Sequence, residues 1–138
     1  MTLQSARTTV GALNHIGIAV VSIEESLRQF QELFDSPEAE ILEDHGRGIR
    51  GAFIEQGETH IELLESMRPD SVIGVFIDNY GEGIHHMAFT VGDVDKKVTE
   101  LQSIGIPIAQ PPRLGLRGRI SFIHPRATHG VLIELVRP

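Results

Sequence analysis

The apolar positions in the first half of the chain predict one strand, one helix and then three more strands. Residues 13–20 are mostly apolar and rich in isoleucine and valine, which is typical of a buried strand. Apolar residues then recur at helical spacing over residues 23–34, after a capping-box pattern at residues 22–25 and before an Asp-Ser-Pro stop at residues 35–37. Three short strands, with glycines in the turns between them, are predicted at about residues 39–42, 49–55 and 60–65.

The second half predicts the same order after a linker that contains a short helix. A strand is expected at residues 84–91, followed by a helix with Asp93 at its N-cap and Gly105 just beyond its end. Three last strands are predicted near Ile108, at 119–124 and at 130–136, separated by Pro111-Pro112 and by the glycines of residues 115–118. The apolar residues of the two main helices that we expect in the core are Leu27, Phe30, Leu33, Val94, Val98, Leu101 and Ile104.

The two halves also repeat one another residue by residue. The strand around His15 is echoed by the strand around His86, 71 positions later. The segment Ile61-Glu62-Leu63 is echoed by Ile133-Glu134-Leu135, 72 positions later. Each half therefore carries one histidine early and one glutamate late.

This repeat predicts an α+β fold in which two β-α-β-β-β modules form a curled mixed sheet around a metal-binding cavity. Neither module can bury a sheet face alone, so we expect their sheets to pair at one edge, with the helices outside. The chain is predicted to be a single domain over residues 1–138. Its parts are expected to be module one at about 11–66, a linker at about 67–82 and module two at about 83–138.

Composition narrows the range of functions. The 138 residues carry a net charge of −7, which argues against a nucleic-acid scaffold because phosphate neutralisation needs a basic surplus. No cysteine is present, so a metal would have to use imidazole and oxygen ligands. No apolar stretch approaches transmembrane length, and residues 1–10 lack a signal peptide's hydrophobic segment. We expect a cytoplasmic protein without a membrane partner.

The repeated histidines and glutamates form the candidate metal site. A charge between apolar neighbours, as at Glu62 and Glu134, is costly unless it is paired or metal-bound. A lone histidine on a strand is more often structural, but recurrence at equivalent positions is hard to explain by packing. His86 rather than His85 aligns with His15, and adjacent strand residues face opposite ways. We therefore expect His85 to point away from the site.

Two imidazoles and two carboxylates suit one divalent metal ion. We expect Co²⁺. The ligand set does not by itself choose among the divalent metals, so Mn²⁺, Ni²⁺, Fe²⁺ and Zn²⁺ are alternatives.

The glycine-rich segment 114–119 lacks the Lys-Ser/Thr ending of a phosphate-binding loop, so a flexible hairpin is favoured. The arginines that cluster near it, and that would suit an anionic ligand, are Arg113, Arg117, Arg119 and Arg126.

The chain resembles a known family from about Leu13 to its end. The His…Glu…His…Glu pattern on duplicated modules is similar to the vicinal oxygen chelate (glyoxalase/bleomycin resistance/dioxygenase) superfamily. Residues 83–89 (GIHHMAF), 121–126 (SFIHPR) and 130–135 (GVLIEL) resemble methylmalonyl-CoA epimerases within it. The segments 14–20 (NHIGIAV) and 61–64 (IELL) are similar to the first half of these enzymes.

The resemblance implies a metal-dependent epimerase. It would invert the α-carbon of methylmalonyl-CoA or a close acyl-CoA by removing and returning a proton through a metal-stabilised enolate. It implies metal ligation by His15, Glu62, His86 and Glu134, catalysis by Glu134 as one of two bases, and a homodimer.

The chain departs from the family at the second base. The family's other glutamate has no counterpart at the aligned position, about Gly51, and the nearby carboxylates are those of Glu43, Asp44 and Glu55. Arg126 replaces a lysine, which keeps the charge but not the geometry. These departures leave the acyl group open, including an ethyl analogue.

Three other functions fit the same superfamily. A glyoxalase-type lyase acting on a glutathione hemithioacetal would use the same four ligands. A non-enzymatic small-molecule-binding protein usually lacks the metal set, and an iron oxygenase would carry one carboxylate ligand rather than two.

Overall fold

The computed structural model describes residues 7–138, so the first six of residues 1–10 lie outside the described residues. The elements of the first half and the linker are the strands β1 (Val10–Ala19), β2 (Ile41–Asp44), β3 (Ile49–Gln56) and β4 (Thr59–Ser66) and the helices α1 (Ile23–Phe34) and α2 (Val72–Tyr80). The elements of the second half are the strands β5 (Gly83–Val91), β6 (Ile108–Leu114), β7 (Arg119–Ile123) and β8 (Ile133–Arg137), the helix α3 (Val94–Ser103) and a 3-10 turn at Pro125–Ala127.

The strands are hydrogen-bonded in the order β2-β3-β4-β1-β5-β8-β7-β6. The pairs β1–β4 and β5–β8 are parallel, and the pairs that join β2, β3 and β4, or β6, β7 and β8, are antiparallel. The predicted α+β fold with two β-α-β-β-β modules and a mixed sheet is therefore confirmed. None of the described helices is long and apolar enough to cross a membrane.

The described residues form two compact units, one over His15–His85 and one from the rest of the chain. In the first unit, α1 covers one face of β1, β3 and β4, where the core consists of Val20, Ile23, Leu27, Ala52, Ile54 and Leu63. In the second, α3 covers the corresponding face of β7 and β8, where the core consists of Val91, Val94, Val98, Ile123 and Leu135. Successive side chains of a strand point to opposite faces of the sheet. In each unit, the strand residues that do not face the helix therefore lie on the other face of the sheet.

Helix α1 begins and ends as predicted but buries fewer residues. The Ser22 side chain accepts a hydrogen bond from the Glu25 amide at the N-terminus, and Asp35 adopts a left-handed conformation (φ 52°) at the other end. The prediction that Leu33 belongs to the core is wrong, because it is 73% exposed. At 100° per residue Leu33 lies about 120° around the helix from buried Leu27, beyond the face that meets the sheet.

Helix α3 shows the same kind of difference at its end. Val94 and Val98 are buried as predicted, whereas Ile104 is 60% exposed and its assignment to the core is wrong. The helix ends at Ser103, and Gly105 (φ 85°) reverses the chain as expected. The Ile106 amide then bonds to the Leu101 carbonyl, and Ile106 packs on the core in place of Ile104.

Several strand boundaries also differ from the expectation. Strand β1 begins at Val10, three residues earlier than predicted, and β8 begins at Ile133, three residues later. Strand β2 begins at Ile41, two residues later than predicted. Strand β6 runs through Pro111-Pro112, which we had expected to separate two elements. An edge strand tolerates proline because the missing amide hydrogen faces away from the neighbouring strand. The pairing of β6 with β7 accommodates the prolines by two shifts of register.

Candidate metal-binding site

His15 and Glu62 form a buried pair in the first unit. Strand β1 pairs in parallel with β4, and Gly17 lies opposite Glu62, so His15 stands diagonally across from the glutamate on the same face. The His15 Nε2 lies 3.3 Å from the Glu62 Oε1. The two residues are only 3% and 5% exposed. A carboxylate removed from water in this way needs a positively charged or hydrogen-bonding neighbour.

His86 and Glu134 repeat this arrangement in the second unit. Strand β5 pairs in parallel with β8, and Ala88 lies opposite Glu134, so His86 again stands diagonally across from the glutamate. The His86 Nε2 lies 3.6 Å from the Glu134 Oε1, and the residues are 2% and 4% exposed. The residue opposite each glutamate is small, a glycine in one unit and an alanine in the other.

A phenylalanine packs against the histidine of each pair. Neither phenylalanine was predicted from the sequence to belong to the site. Phe53 lies edge-on to the His15 ring with centroids 5.5 Å apart, and Phe122 lies edge-on to the His86 ring at 5.4 Å. Each phenylalanine is the antiparallel register partner of the glutamate in its unit. The connection to β4 is a tight turn and that to β8 a long loop, so the two phenylalanines stand at different distances from their glutamates in sequence. Only the strand register shows their equivalence.

The donor atoms suit a divalent metal ion. Each unit offers one imidazole nitrogen, from His15 or His86, and one carboxylate oxygen, from Glu62 or Glu134. A metal with nitrogen and oxygen ligands at about 2.0–2.2 Å holds neighbouring ligand atoms roughly 3.0–3.5 Å apart. The His15–Glu62 distance meets that spacing, and the His86–Glu134 distance is within about 0.1 Å of it. Ligation of a metal ion by these four residues stays a prediction.

His85 faces away from the pair formed by its neighbour, as predicted. Its ring lies edge-on to Phe76 of α2, with centroids 5.0 Å apart and an interplanar angle of 83°. His86, one position later on the same strand, contacts Phe122 instead. Strand alternation thus distinguishes two adjacent histidines that composition alone cannot separate.

The carboxylates considered as a second base lie on different faces. Glu43 is in register with Arg50, so it points away from the face of Glu62, and its carboxylate pairs with exposed His45. Asp44 and Glu55 share the face of Glu62. On a flat sheet their Cα atoms would lie about 16 Å and about 8 Å from that of Glu62. Asp44 is also engaged by Arg47 at 2.8 Å, which leaves Glu55 as the nearer and more exposed carboxylate.

The glycine-rich segment is a hairpin, in agreement with the favoured interpretation. The Gly115 amide bonds to the Gly118 carbonyl at 2.8 Å. Gly118 has a φ of 88°, and a Cβ there would lie 2.1 Å from the Arg137 carbonyl oxygen, so the turn requires glycine.

The predicted cluster of arginines is divided between the two faces of this sheet. Arg119 pairs with Asp95 of α3, and their hydrogen bond holds the pKa of the Asp95 carboxyl below its ordinary value. Arg113 is instead in register with Ile120, on the face that carries Glu134.

Comparison with known proteins identifies the class to which this fold and site belong. Residues 12–135 match the family model of the glyoxalase/bleomycin resistance protein/dioxygenase superfamily. The chain therefore belongs to that superfamily.

Similar proteins within the superfamily are methylmalonyl-CoA epimerases. The chain is 33% identical to the mitochondrial methylmalonyl-CoA epimerase of Dictyostelium discoideum, over 91% of this chain and 78% of that one. It is 30% identical to the ethylmalonyl-CoA/methylmalonyl-CoA epimerase of Cereibacter sphaeroides, over 91% and 97%. A solved structure of a Streptomyces coelicolor methylmalonyl-CoA epimerase variant in complex with 2-nitronate-propionyl-CoA superposes with a TM-score of 0.87. It is 32% identical and covers 93% of this chain and 97% of that one.

Proposed function

We propose that this protein is a metal-dependent epimerase that inverts the α-carbon of methylmalonyl-CoA or a close acyl-CoA. The observation that carries the proposal is the pair of buried imidazole–carboxylate contacts at equivalent places in the two modules. The similarity to epimerases over most of the chain supports the same reaction. The ethylmalonyl activity named for one relative makes an ethyl-substituted substrate the nearest alternative.

In this proposal His15, Glu62, His86 and Glu134 hold one divalent ion. When bound, the ion would supply positive charge next to the substrate carboxylate and next to the thioester oxygen, on which negative charge develops as the α-proton leaves. We propose Co²⁺ for this ion, with Mn²⁺, Ni²⁺, Fe²⁺ and Zn²⁺ as the other members of the test panel. The donor set is hard to borderline and contains no sulfur, in keeping with these metals.

Glu134 is the proposed base on one face of the α-carbon. Its carboxylate accepts the proton, the electron pair left on the carbon delocalises into the thioester, and a second acid returns a proton to the opposite face. At 4% exposure the carboxylate is shielded from bulk water, which strengthens its electrostatic interactions with the substrate. General acid–base assistance of this kind contributes about 10²–10⁴-fold to rate.

The proposal also covers the substrate class, the oligomeric state and the location of the protein. An acyl-CoA is the proposed substrate. A homodimer is proposed from the resemblance, and a cytoplasmic location from the lack of a signal-peptide or transmembrane pattern in the sequence. Size-exclusion chromatography with light scattering tests the dimer, which a monomeric mass at micromolar concentration would contradict.

Solvent deuterium exchange tests the reaction directly. In D₂O, (2R)- or (2S)-methylmalonyl-CoA should gain one deuterium at the α-position when enzyme and metal are both present, and chelation should stop the exchange. Ethylmalonyl-CoA run in parallel reports the acyl preference. Absence of exchange with turnover of the methylglyoxal–glutathione hemithioacetal would replace the epimerase by a glyoxalase-type lyase. Absence of both would leave a binding protein.

A further inference from the structure

Strand β6 contains an irregularity that changes the direction in which one arginine points. Gln110 pairs with Phe122 and Arg113 pairs with Ile120, so three steps along β6 match two steps along β7. This is a β-bulge, and Pro111-Pro112 lies within it. In a regular strand, residues three apart face opposite sides, whereas here Gln110 and Arg113 face the same side.

That side is the face of the second unit that carries the imidazole–carboxylate pair. Phe122 is in register with Glu134, and Ile120 is in register with Val136 two residues further along the same strand. The apolar residues of this face that pack together are Ala88, Ile120, Phe122, Leu132 and Val136. Half-buried Arg113 therefore adds a positive charge beside this apolar floor. On a flat sheet its Cα would lie about 12 Å from that of Glu134, which a long side chain and an extended substrate can bridge.

A buried side chain holds the bulge in place. Ser121 is fully buried and faces the opposite side from Phe122, and its hydroxyl donates to the Gln110 carbonyl at 2.6 Å. A bulge leaves ladder groups without their usual partners, and a buried carbonyl without a partner costs about 1–3 kcal/mol. The serine hydroxyl supplies the partner, so the sequence contains a specific device that maintains the direction of Arg113.

We propose that Arg113 binds an anionic group of the acyl-CoA substrate and thereby positions it over the face that carries Glu134. The proposal rests on the proposed function for the substrate and on the bulge for the placement. Bulges often occur next to active sites, where they redirect a side chain. Bulges also protect edge strands from pairing with other chains, and this explanation of the bulge requires no ligand at Arg113. The acyl carboxylate and the phosphates of coenzyme A are the two sources of the anion.

The test compares Arg113→Met with a matched control, Arg137→Met. Arg137 is exposed at the end of β8, in register with Arg119, and its replacement changes the net charge equally. We expect kcat/KM for methylmalonyl-CoA to fall about 10- to 100-fold in Arg113→Met, mainly through a higher KM, because a charge-assisted hydrogen bond is lost. Arg137→Met should keep the KM of the unmodified protein. Arg113→Lys should recover part of the loss.

A second substrate separates the two anions. Methylmalonyl-pantetheine keeps the carboxylate and lacks the phosphates, so a loss that persists with it assigns the contact to the carboxylate. A loss seen only with the coenzyme A thioester assigns it to a phosphate. Unchanged KM values for Arg113→Met with both substrates would overturn the proposal, as would an equal loss in Arg137→Met.

A binding measurement keeps this inference distinct from the proposed reaction. Calorimetric titration with malonyl-CoA reports affinity without turnover, and Arg113→Met should bind about 10- to 100-fold more weakly than the unmodified protein. If no methylmalonyl-CoA exchange occurs but malonyl-CoA binds in an Arg113-dependent way, the epimerase proposal fails and the arginine contact stands. Equal affinities in the two proteins would refute the contact even where epimerisation is observed. Absence of binding by the unmodified protein would refute both.

Discussion

The sharpest test of the metal site replaces each of two adjacent histidines with alanine. His86 is 2% exposed, and its Nε2 lies near the Glu134 carboxylate, whereas half-buried His85 packs edge-on against Phe76. We expect His86→Ala to abolish binding of the divalent ion and His85→Ala to retain it. The unmodified protein should bind about one ion per chain. His85 and His86 are both histidines but point to opposite faces of β5. A difference between the two variants therefore reports the face and not the residue type.

The expected magnitude follows from linkage. An ion that binds only the folded protein adds about 2.7 kcal/mol to stability at a concentration 100 times its dissociation constant. Unfolding entropy of about 2.1 cal/mol/K per residue gives about 0.29 kcal/mol/K for this chain length. Addition of the ion should therefore raise the Tm of the unmodified protein by about 9 °C. The same rise is expected for His85→Ala and none for His86→Ala.

Differential scanning fluorimetry with and without Co²⁺, after chelator treatment, measures these shifts, and elemental analysis of dialysed protein gives the stoichiometry. His85→Ala should itself unfold at a lower temperature, because an aromatic pair contributes about 0.5–1.5 kcal/mol. That baseline change does not affect the ion-dependent shift. If His85→Ala loses the shift while His86→Ala keeps it, the assignment of faces and the alignment of the two repeats are both wrong.

Three further outcomes are expected. Glu134→Gln should slow deuterium exchange about 10²–10⁴-fold while malonyl-CoA still binds, and an unchanged exchange rate would remove Glu134 as a base. Ser121→Ala should lower the free energy of unfolding by about 1–3 kcal/mol in urea titrations and raise the KM as Arg113→Met does, whereas an unaltered KM would show that the bulge persists without the hydroxyl. The pKa of Asp95 is lowered in the folded state, chiefly by the hydrogen bond from Arg119, so this pair stabilises the fold above the ordinary carboxyl pKa and its contribution is lost as the pH falls through the lowered value. Asp95→Asn should flatten the acid limb of the urea midpoint against pH, and an identical slope would contradict this linkage.

Local patterns in the sequence were enough to predict the helices and strands and to choose between the two adjacent histidines at the candidate site. The caps of α1 and α3 lie where Ser22 and Asp93 predict them, because capping depends on residues only three positions apart. The repeat chose His86 over His85, because two equivalent strands must place equivalent residues on one face. Errors in these elements occurred at their ends, where burial depends on how far the neighbouring sheet extends, as at Leu33 and Ile104.

Tertiary structure alone decided which distant residues join these pairs. Phe53 and Phe122 are equivalent only through the register of antiparallel strands, and their different spacing from the glutamates conceals this in the sequence. Arg113 reaches the face of Glu134 because a bulge shifts the alternation of β6, and Pro111-Pro112 suggested a break instead. The repeated histidines and glutamates could be recognised in the sequence because each lies at the same place in a local strand pattern that occurs in both halves. Register and bulges depend on hydrogen bonds between strands, which no local period records.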